Sequence, residues 1–242
     1  MLPQCGVDGS LRLLSAGYGL VAACVVFGGL WPATARNIVG LGAACGLFGL
    51  AFFIVPSGLL QRRYLAPKLQ RYKQSEQAVP VGTREGLTET IVLLQRSRFG
   101  QPLSFRMLTN SYSMSSTSST AQRYMKLFVY LPAAISPRLR QALLISYGVG
   151  STAKALTDTA ELERIDVVDT PKDIVELSHT IYPDLSNNPL RDPRVSVHVE
   201  DGRFFLQTTD RRFDLITGEP PPPRIAGVVN LYTQEYFELV KS

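Results

Sequence analysis

Hydrophobic and polar positions divide this chain into an apolar start, an alternating middle and a strand–turn–helix remainder. The first 60 residues carry only Asp8, Arg12 and Arg36 as charges. Leu11–Trp31 is apolar apart from Arg12, and Asn37–Leu60 has no charge at all. Each has about the 20 residues that a helix needs to cross roughly 30 Å of hydrocarbon. The pattern therefore predicts two membrane-spanning helices, Leu11–Trp31 and Asn37–Leu60, turned at Pro32. Gly42, Gly46 and Gly49 recur at helical spacing, as in helices that pack closely in a bilayer. One alternative is two buried helices of a soluble protein, and a stronger rival is a cleavable signal peptide, because Ala33-Thr34-Ala35 fits a small-x-small site. A weakly basic start and the second apolar run that follows at once favour the hairpin.

Arg62, Arg63, Lys68, Arg71 and Lys73 come next, with no acid before Glu76. Basic flanks stay cytoplasmic, which predicts a multi-pass protein of the inner (cytoplasmic) membrane. Residues 11–60 would meet lipid and the C-terminal domain would lie in the cytoplasm. Ala66–Pro80 reads as an amphiphilic linker along the membrane surface.

From Gly86 the pattern alternates. Thr88–Leu94 and Leu103–Leu108 read as strands joined across Arg98-Phe99-Gly100-Gln101-Pro102, a small β-hairpin subdomain. Ser111–Thr120, rich in serine and threonine, predicts a mobile loop that serves as linker or gate. Tyr124–Ala134 is apolar at helical spacing and ends before Pro137. Strands are predicted at 142–146, 164–168, 195–200 and 213–217, each followed by a turn and a helix except where four prolines follow the last. That alternation implies a doubly wound α/β sheet, with Asp169, Asp201 and Glu219 after strands two, three and four at the ligand-binding carboxyl edge. The domain organisation expected is a transmembrane hairpin over 1–60, a basic juxtamembrane linker over 61–83, the small β subdomain over 84–132 and a Rossmann-like nucleoside-binding domain over 133–242.

The sharpest local signal is LLISYGVGSTAKAL, residues 143–156. An apolar run meets Gly148-Val149-Gly150, and the spacing Gly148-x-Gly150-x-x-Ala153 fits the G-x-G-x-x-G/A turn of nucleotide-binding sheets. Asp169 lies 21 positions beyond Gly148, where a carboxylate accepts ribose hydroxyls. The plainer alternative is an ordinary strand–turn–helix whose glycines serve packing.

Composition narrows the chemistry. A net charge of +5 over 242 residues is too dispersed for nucleic-acid binding and lacks interleaved aromatics. Cys5, Cys24 and Cys45 all lie in the apolar part, and His179 and His198 have no metal-ligand spacing to them, so no disulfide framework or metal is expected. There is no G-x-S-x-G elbow and no Walker A loop.

The stretches EGLTETIVLLQRSRFGQPLSFRMLTNSYSMS, LLISYGVGSTAKAL, VVDTPKDIVELS, DPRVSVHVEDGRFFL, RRFDLITGEPPPP and LYTQEYFELVKS occur in the order of one family. Over residues 84–242 the chain resembles the spermidine synthase (polyamine aminopropyltransferase) family, most closely its bacterial branch fused to a membrane domain. The resemblance implies a small β-domain ahead of a methyltransferase-like Rossmann domain. It implies decarboxylated S-adenosylmethionine, or S-adenosylmethionine itself, as co-substrate and a small amine as acceptor, in polyamine biosynthesis. Gly148, Gly150, Asp169, Asp201 and Gly202 become the expected cofactor-binding residues, with Asp169 on the ribose and Asp201 near the adenine amine. Glu219 falls on the first aspartate of the family's D-x-x-D-P signature and is the expected catalytic base.

The departures concern the amine half of the site. Pro222 stands for the signature's second aspartate, Val149 for the aspartate of the glycine turn, Tyr124-Met125-Lys126 for a Tyr-His-Glu segment and Met114 for a glutamine. The chain also stops where the family fold continues, so a fragment is expected at the C-terminus, and the fused branch's further helices make the N-terminus one too. Three readings follow: aminopropyl transfer, methyl transfer to a small acceptor, and non-catalytic sensing of a nucleoside or polyamine beside a membrane partner. A second copy of the chain is admitted as a partner.

Overall fold

The computed structural model describes residues 2–27, 35–54, 58–59, 61–86, 89–136, 138–218 and 228–241. It divides into two compact units, Met1–Arg71 and Tyr72–Ser242.

The first unit holds α1 (Leu2–Phe27) and α2 (Ala35–Ile54), then a π-helical turn, Gln61–Leu65, and most of α3 (Ala66–Glu76). Among the described residues no helix is long and apolar enough to cross a membrane. This corrects the expected transmembrane pair over Leu11–Trp31 and Asn37–Leu60, and with it the membrane-fused branch, the lipid partner through residues 11–60 and the multi-pass inner-membrane location. The physical reason lies in where the helices run. The first starts at Leu2, takes in Asp8 and Arg12, and is broken at Gly6, where φ is 68° and ψ 177°. The second includes Arg36 and stops at Ile54. The expected spans had also run through 28–31, 55–57 and 60, which lie outside the described residues. Nor do the expected small residues make the helix contact: a Cβ on Gly42, Gly46 or Gly49 would meet nothing, whereas one on Gly19 would meet the Phe48 ring at 2.9 Å.

The second unit begins with an antiparallel meander, β1 (Ala78–Glu85), β2 (Thr90–Arg98), β3 (Gln101–Thr109) and β4 (Tyr112–Ser116), in that spatial order. Phe99 (φ 51°) and Gly100 (φ 76°) turn β2 into β3, the two left-handed residues that suit a twisted hairpin. Ile91, Val92, Leu93 and Leu94 are all buried, so β2 is covered on both faces and its alternation is lost. The serine-rich stretch Ser111–Thr120, expected as a loop, is half strand, and its last two residues begin α4 (Ser119–Ile135). Its hydroxyls take over backbone bonding: Ser116 Oγ donates to the Phe105 carbonyl at 3.0 Å, and the Phe105 N–H donates to Thr117 Oγ1 at 2.8 Å.

After α4 (Ser119–Ile135) the chain forms β5 (Gln141–Ile145), α5 (Ser151–Thr157), β6 (Arg164–Val168), α6 (Lys172–Ile181), β7 (Val195–His198), α7 (Gly202–Thr208), β8 (Leu215–Gly218) and α8 (Gln234–Lys241). The four strands are parallel in the order β7-β6-β5-β8. Alternate residues of β5 feed two cores, as a sheet covered on both faces requires. Ala142 and Leu144 join Ile165 and Val167 with Ile91, Leu93 and Met107 of the meander, so both sheets share one apolar interior. Leu143 and Ile145 join Val168, Phe205 and Tyr236 on the other face.

Two polar fastenings hold the parallel sheet. Asp166, fully buried in β6, accepts from Arg211 Nη1 at 2.6 Å and Arg164 Nε at 3.2 Å, and pairs with His198 Nε2 at 2.8 Å. Asp214 Oδ2 accepts the Arg140 and Gln141 N–H groups at 2.8 and 2.9 Å, clamping the approach to β8 against the start of β5.

Candidate active site

The carboxyl ends of β5, β6 and β7 open on a cavity of about 310 Å³, within the range of small-molecule sites. Its near wall is the turn after β5. Ser146 (φ 73°), Gly148 (φ 56°) and Gly150 (φ 78°) are left-handed, and the Gly150 N–H donates to the Tyr147 carbonyl at 2.9 Å. A Cβ at Gly148 would meet Ser115 Oγ at 2.6 Å, and one at Gly150 the Tyr147 hydroxyl at 2.5 Å. Positive φ and the protein's own packing thus both demand these glycines. Ser115 also accepts the Val149 N–H at 2.9 Å, tying the meander to the turn. The Tyr147 hydroxyl bonds Ser178 Oγ at 2.7 Å.

Asp169, directly after β6, is buried and lines the cavity. Its Oδ2 accepts the Tyr147 N–H at 2.7 Å. Burial pushes its carboxyl up to about 6, even though backbone bonds from Tyr147, Gly148 and Thr170 pull the other way. Desolvation has outweighed three hydrogen bonds because removing an ion from water costs more than amide dipoles return. Asp201 and Gly202 line the same cavity. Asp201 also caps α7, its Oδ1 accepting the Phe204 N–H at 2.9 Å. A Cβ on Gly202 would strike Ile145 Cγ2 at 2.5 Å. Gly148, Asp169, Asp201 and Gly202 therefore share one cavity, and Gly150 shapes the turn behind it. Glu219 and Pro220–Pro223 lie outside the described residues.

Sequence reasoning missed Glu89, Ser151 and Glu200, which also line the cavity. Glu89 comes from just before β2. Burial raises its carboxyl above the usual range, and the neighbouring charge of Asp169 raises it further. An acid at the head of an apolar strand was the only hint available. Met107, Met114 and Met125 add a polarizable apolar wall. Of the charged groups among the described lining residues, Glu89, Asp169, Glu200 and Asp201 are acidic and none is Lys, Arg or His. Such a wall accepts hydroxyl and amine donors, favours a cation and disfavours a phosphate or carboxylate.

Residues 121–242 match the spermine/spermidine synthase domain. A polyamine aminopropyltransferase of Clostridium perfringens (strain SM101 / Type A) is 33% identical over 114 residues, 47% of this chain and 40% of that protein. A polyamine aminopropyltransferase of Clostridium beijerinckii is 30% identical over 149 residues, 62% of this chain and 50% of that protein. The chain thus spans half or less of these relatives' length. A crystal structure of spermidine synthase in complex with the transition-state analogue AdoDATO superposes with a TM-score of 0.57 at 15% identity, covering 67% of this chain and 53% of that one. The spermidine synthase of Thermotoga maritima gives 0.55 at 15% identity, over 67% and 52%. At that identity the likeness shows the fold, an α/β Rossmann-like sheet of the spermidine synthase kind.

Proposed function

Because this chain belongs to the spermine/spermidine synthase domain family, we propose that it is a transferase moving an aminopropyl group from decarboxylated S-adenosylmethionine to an amine. The observation that carries this reading is the cavity wall, whose charged groups among the described residues are all acidic. The decarboxylated co-substrate brings a sulfonium and a protonatable amine but no carboxylate. Intact S-adenosylmethionine would set its own carboxylate against that wall, which favours aminopropyl over methyl transfer.

Asp169 accepts the ribose hydroxyls, its second oxygen fixed by the Tyr147 N–H. Asp201 faces the adenine amine. The turn at Gly148–Gly150 needs no phosphate, since a sulfonium nucleoside has none. In the reaction a neutral amine attacks the methylene beside sulfur. A C–N bond forms, the C–S bond breaks, and its electron pair stays on sulfur as neutral methylthioadenosine. The nitrogen's proton passes to a carboxylate within about 3 Å, a role assigned to Glu219, which follows Gly218 of β8 in the chain. With valine at 149 and proline at 222 in place of carboxylates, diamine turnover should be weak.

The test supplies decarboxylated S-adenosylmethionine and putrescine, with S-adenosylmethionine in parallel, and quantifies methylthioadenosine and alkylated amine by mass spectrometry. Glu219→Gln should lower turnover on the order of 10²–10⁴ while nucleoside affinity stays nearly intact. Methylated acceptor alone would move the chain to the methyltransferases. Binding without transfer to any amine would favour a non-catalytic nucleoside sensor.

A further inference from the structure

The helix ahead of the parallel sheet, α4, has two sides of different character. Met125 and Val129 turn inward and are buried. Tyr124, Leu127, Phe128, Leu131 and Ile135 stay exposed, Leu127 by 56%, Leu131 by 57% and Ile135 by 75%. They fall at i, i+3, i+4, i+7 and i+11, which gathers them into one stripe about 100° wide. From Leu127 to Ile135 the helix carries no charge. Tyr130, farther round the helix, feels the charges of Asp158 and Lys154 at α5, so the stripe lies on the flank turned away from α5. On the β8 side, the Thr217 hydroxyl donates to the Phe128 carbonyl at 3.3 Å. Among the described residues no strand pairs with the outer side of β8. The stripe and that open side of the sheet adjoin.

Single exposed leucines are ordinary, but a charge-free stripe three turns long is not. Its five side chains present roughly 500 Å² of apolar surface, the upper end of what a monomer leaves in one patch. We propose that this flank of α4 is the seam of a two-fold dimer, covered by the same flank of a second copy of the chain. Two stripes face to face would remove about 1,000 Å² from water, which reaches the threshold for a specific interface. The open side of β8 adds backbone groups that its own copy matches when the two strands run antiparallel. A two-fold axis normal to the sheet also sets α4 antiparallel to its mate. Arg123 and Lys126, both near the start of α4, then lie at opposite ends of the seam from their counterparts, and each helix start meets the other's end, the favourable arrangement of dipoles. Such an isologous contact closes at two copies. An uncharged stripe offers an unrelated partner little to be selected by, whereas it complements itself.

The experiment is sedimentation velocity on the 242-residue chain from about 1 to 100 μM, beside Leu131→Glu and Leu47→Glu. Leu131→Glu sets one charge from each copy into the seam and should weaken the dimer at least about hundredfold. Leu47, 67% exposed on α2, is the control for the other apolar surface of the chain, and its variant should dimerise like the unsubstituted protein. A second measurement does not depend on how the charged variant folds. Leu131→Cys, in a chain whose Cys5, Cys24 and Cys45 are replaced by serine, should give a covalent dimer with a short bis-maleimide. A chain that stays monomeric throughout the range would overturn the proposal. So would a dimer that survives Leu131→Glu, one lost instead in Leu47→Glu, or one that Leu131→Cys fails to cross-link. None of these outcomes bears on the transfer reaction, which is read from methylthioadenosine release.

Discussion

At the scale of single residues, Asp169 sets function against stability. Its carboxyl sits near 6 in the folded chain against an ordinary value of 3.8. The folded state therefore holds that proton more tightly than the unfolded state does. Its stabilising contribution is complete below the unfolded value and is lost as pH rises through about 6, a swing on the order of 3 kcal/mol. Ribose hydroxyls bond best to the ionised form, so affinity for methylthioadenosine should strengthen as pH rises through 6 and then level off. Asp169→Asn should abolish that pH dependence, weaken binding roughly ten- to hundredfold and raise the melting temperature above pH 6. Calorimetry and melting curves across roughly pH 5–8 would check all three. An affinity unaffected by the substitution would place the ribose elsewhere. Asp169 was legible because it ends an apolar run at a fixed distance from a glycine turn. Glu89 and Ser151 were not, because an acid before a strand and a serine after a glycine look ordinary until another part of the chain buries them.

At the scale of elements, the tightest constraint is the contact between β5 and β8. Gly218 pairs with Ile145, and a Cβ there would run into the Ile145 carbonyl oxygen. Backbone cannot swing aside as a side chain can, so Gly218→Ala should cost about 1–3 kcal/mol, read as a lower urea midpoint. An unchanged midpoint would show that β8 is not held at this register. Gly202→Ala meets only the Ile145 side chain at 2.5 Å and should cost less. The parallel strands were readable because each is a short apolar run closed by a turn. The meander's last strand was not, because Tyr112–Ser116 is polar and is held by its backbone ladder to β3, with the Ser116 hydroxyl adding a bond to the Phe105 carbonyl. Composition there pointed to a loop; hydrogen bonding made a strand.

At the scale of the whole molecule, the chain divides into two compact units between Arg71 and Tyr72. Sequence reading went furthest astray in the first, where a count of uncharged positions took no account of where helices begin, break and end. The second was the more legible, since its strands, turns and acids repeat a single pattern along the chain. The Asp214 clamp within it bears on the order in which the sheet assembles. Gln141 and Asp214 are 73 residues apart, whereas β5, β6 and β7 succeed one another through the shorter crossovers that carry α5 and α6. Closing the longer loop costs more chain entropy before any contact repays it. The sheet should therefore grow from β5 toward β7 first and acquire β8 last, with the Asp214 carboxylate catching the amides of Arg140 and Gln141 as the late step. In pulse-labelled refolding, amides of 142–145 and 165–168 should gain protection before those of 215–218. Asp214→Ala should slow only that last phase, and simultaneous protection of all four strands would exclude this order. Until β8 docks, β5 presents an unpaired edge, so the newly made chain is most open to pairing with a neighbouring copy during that interval.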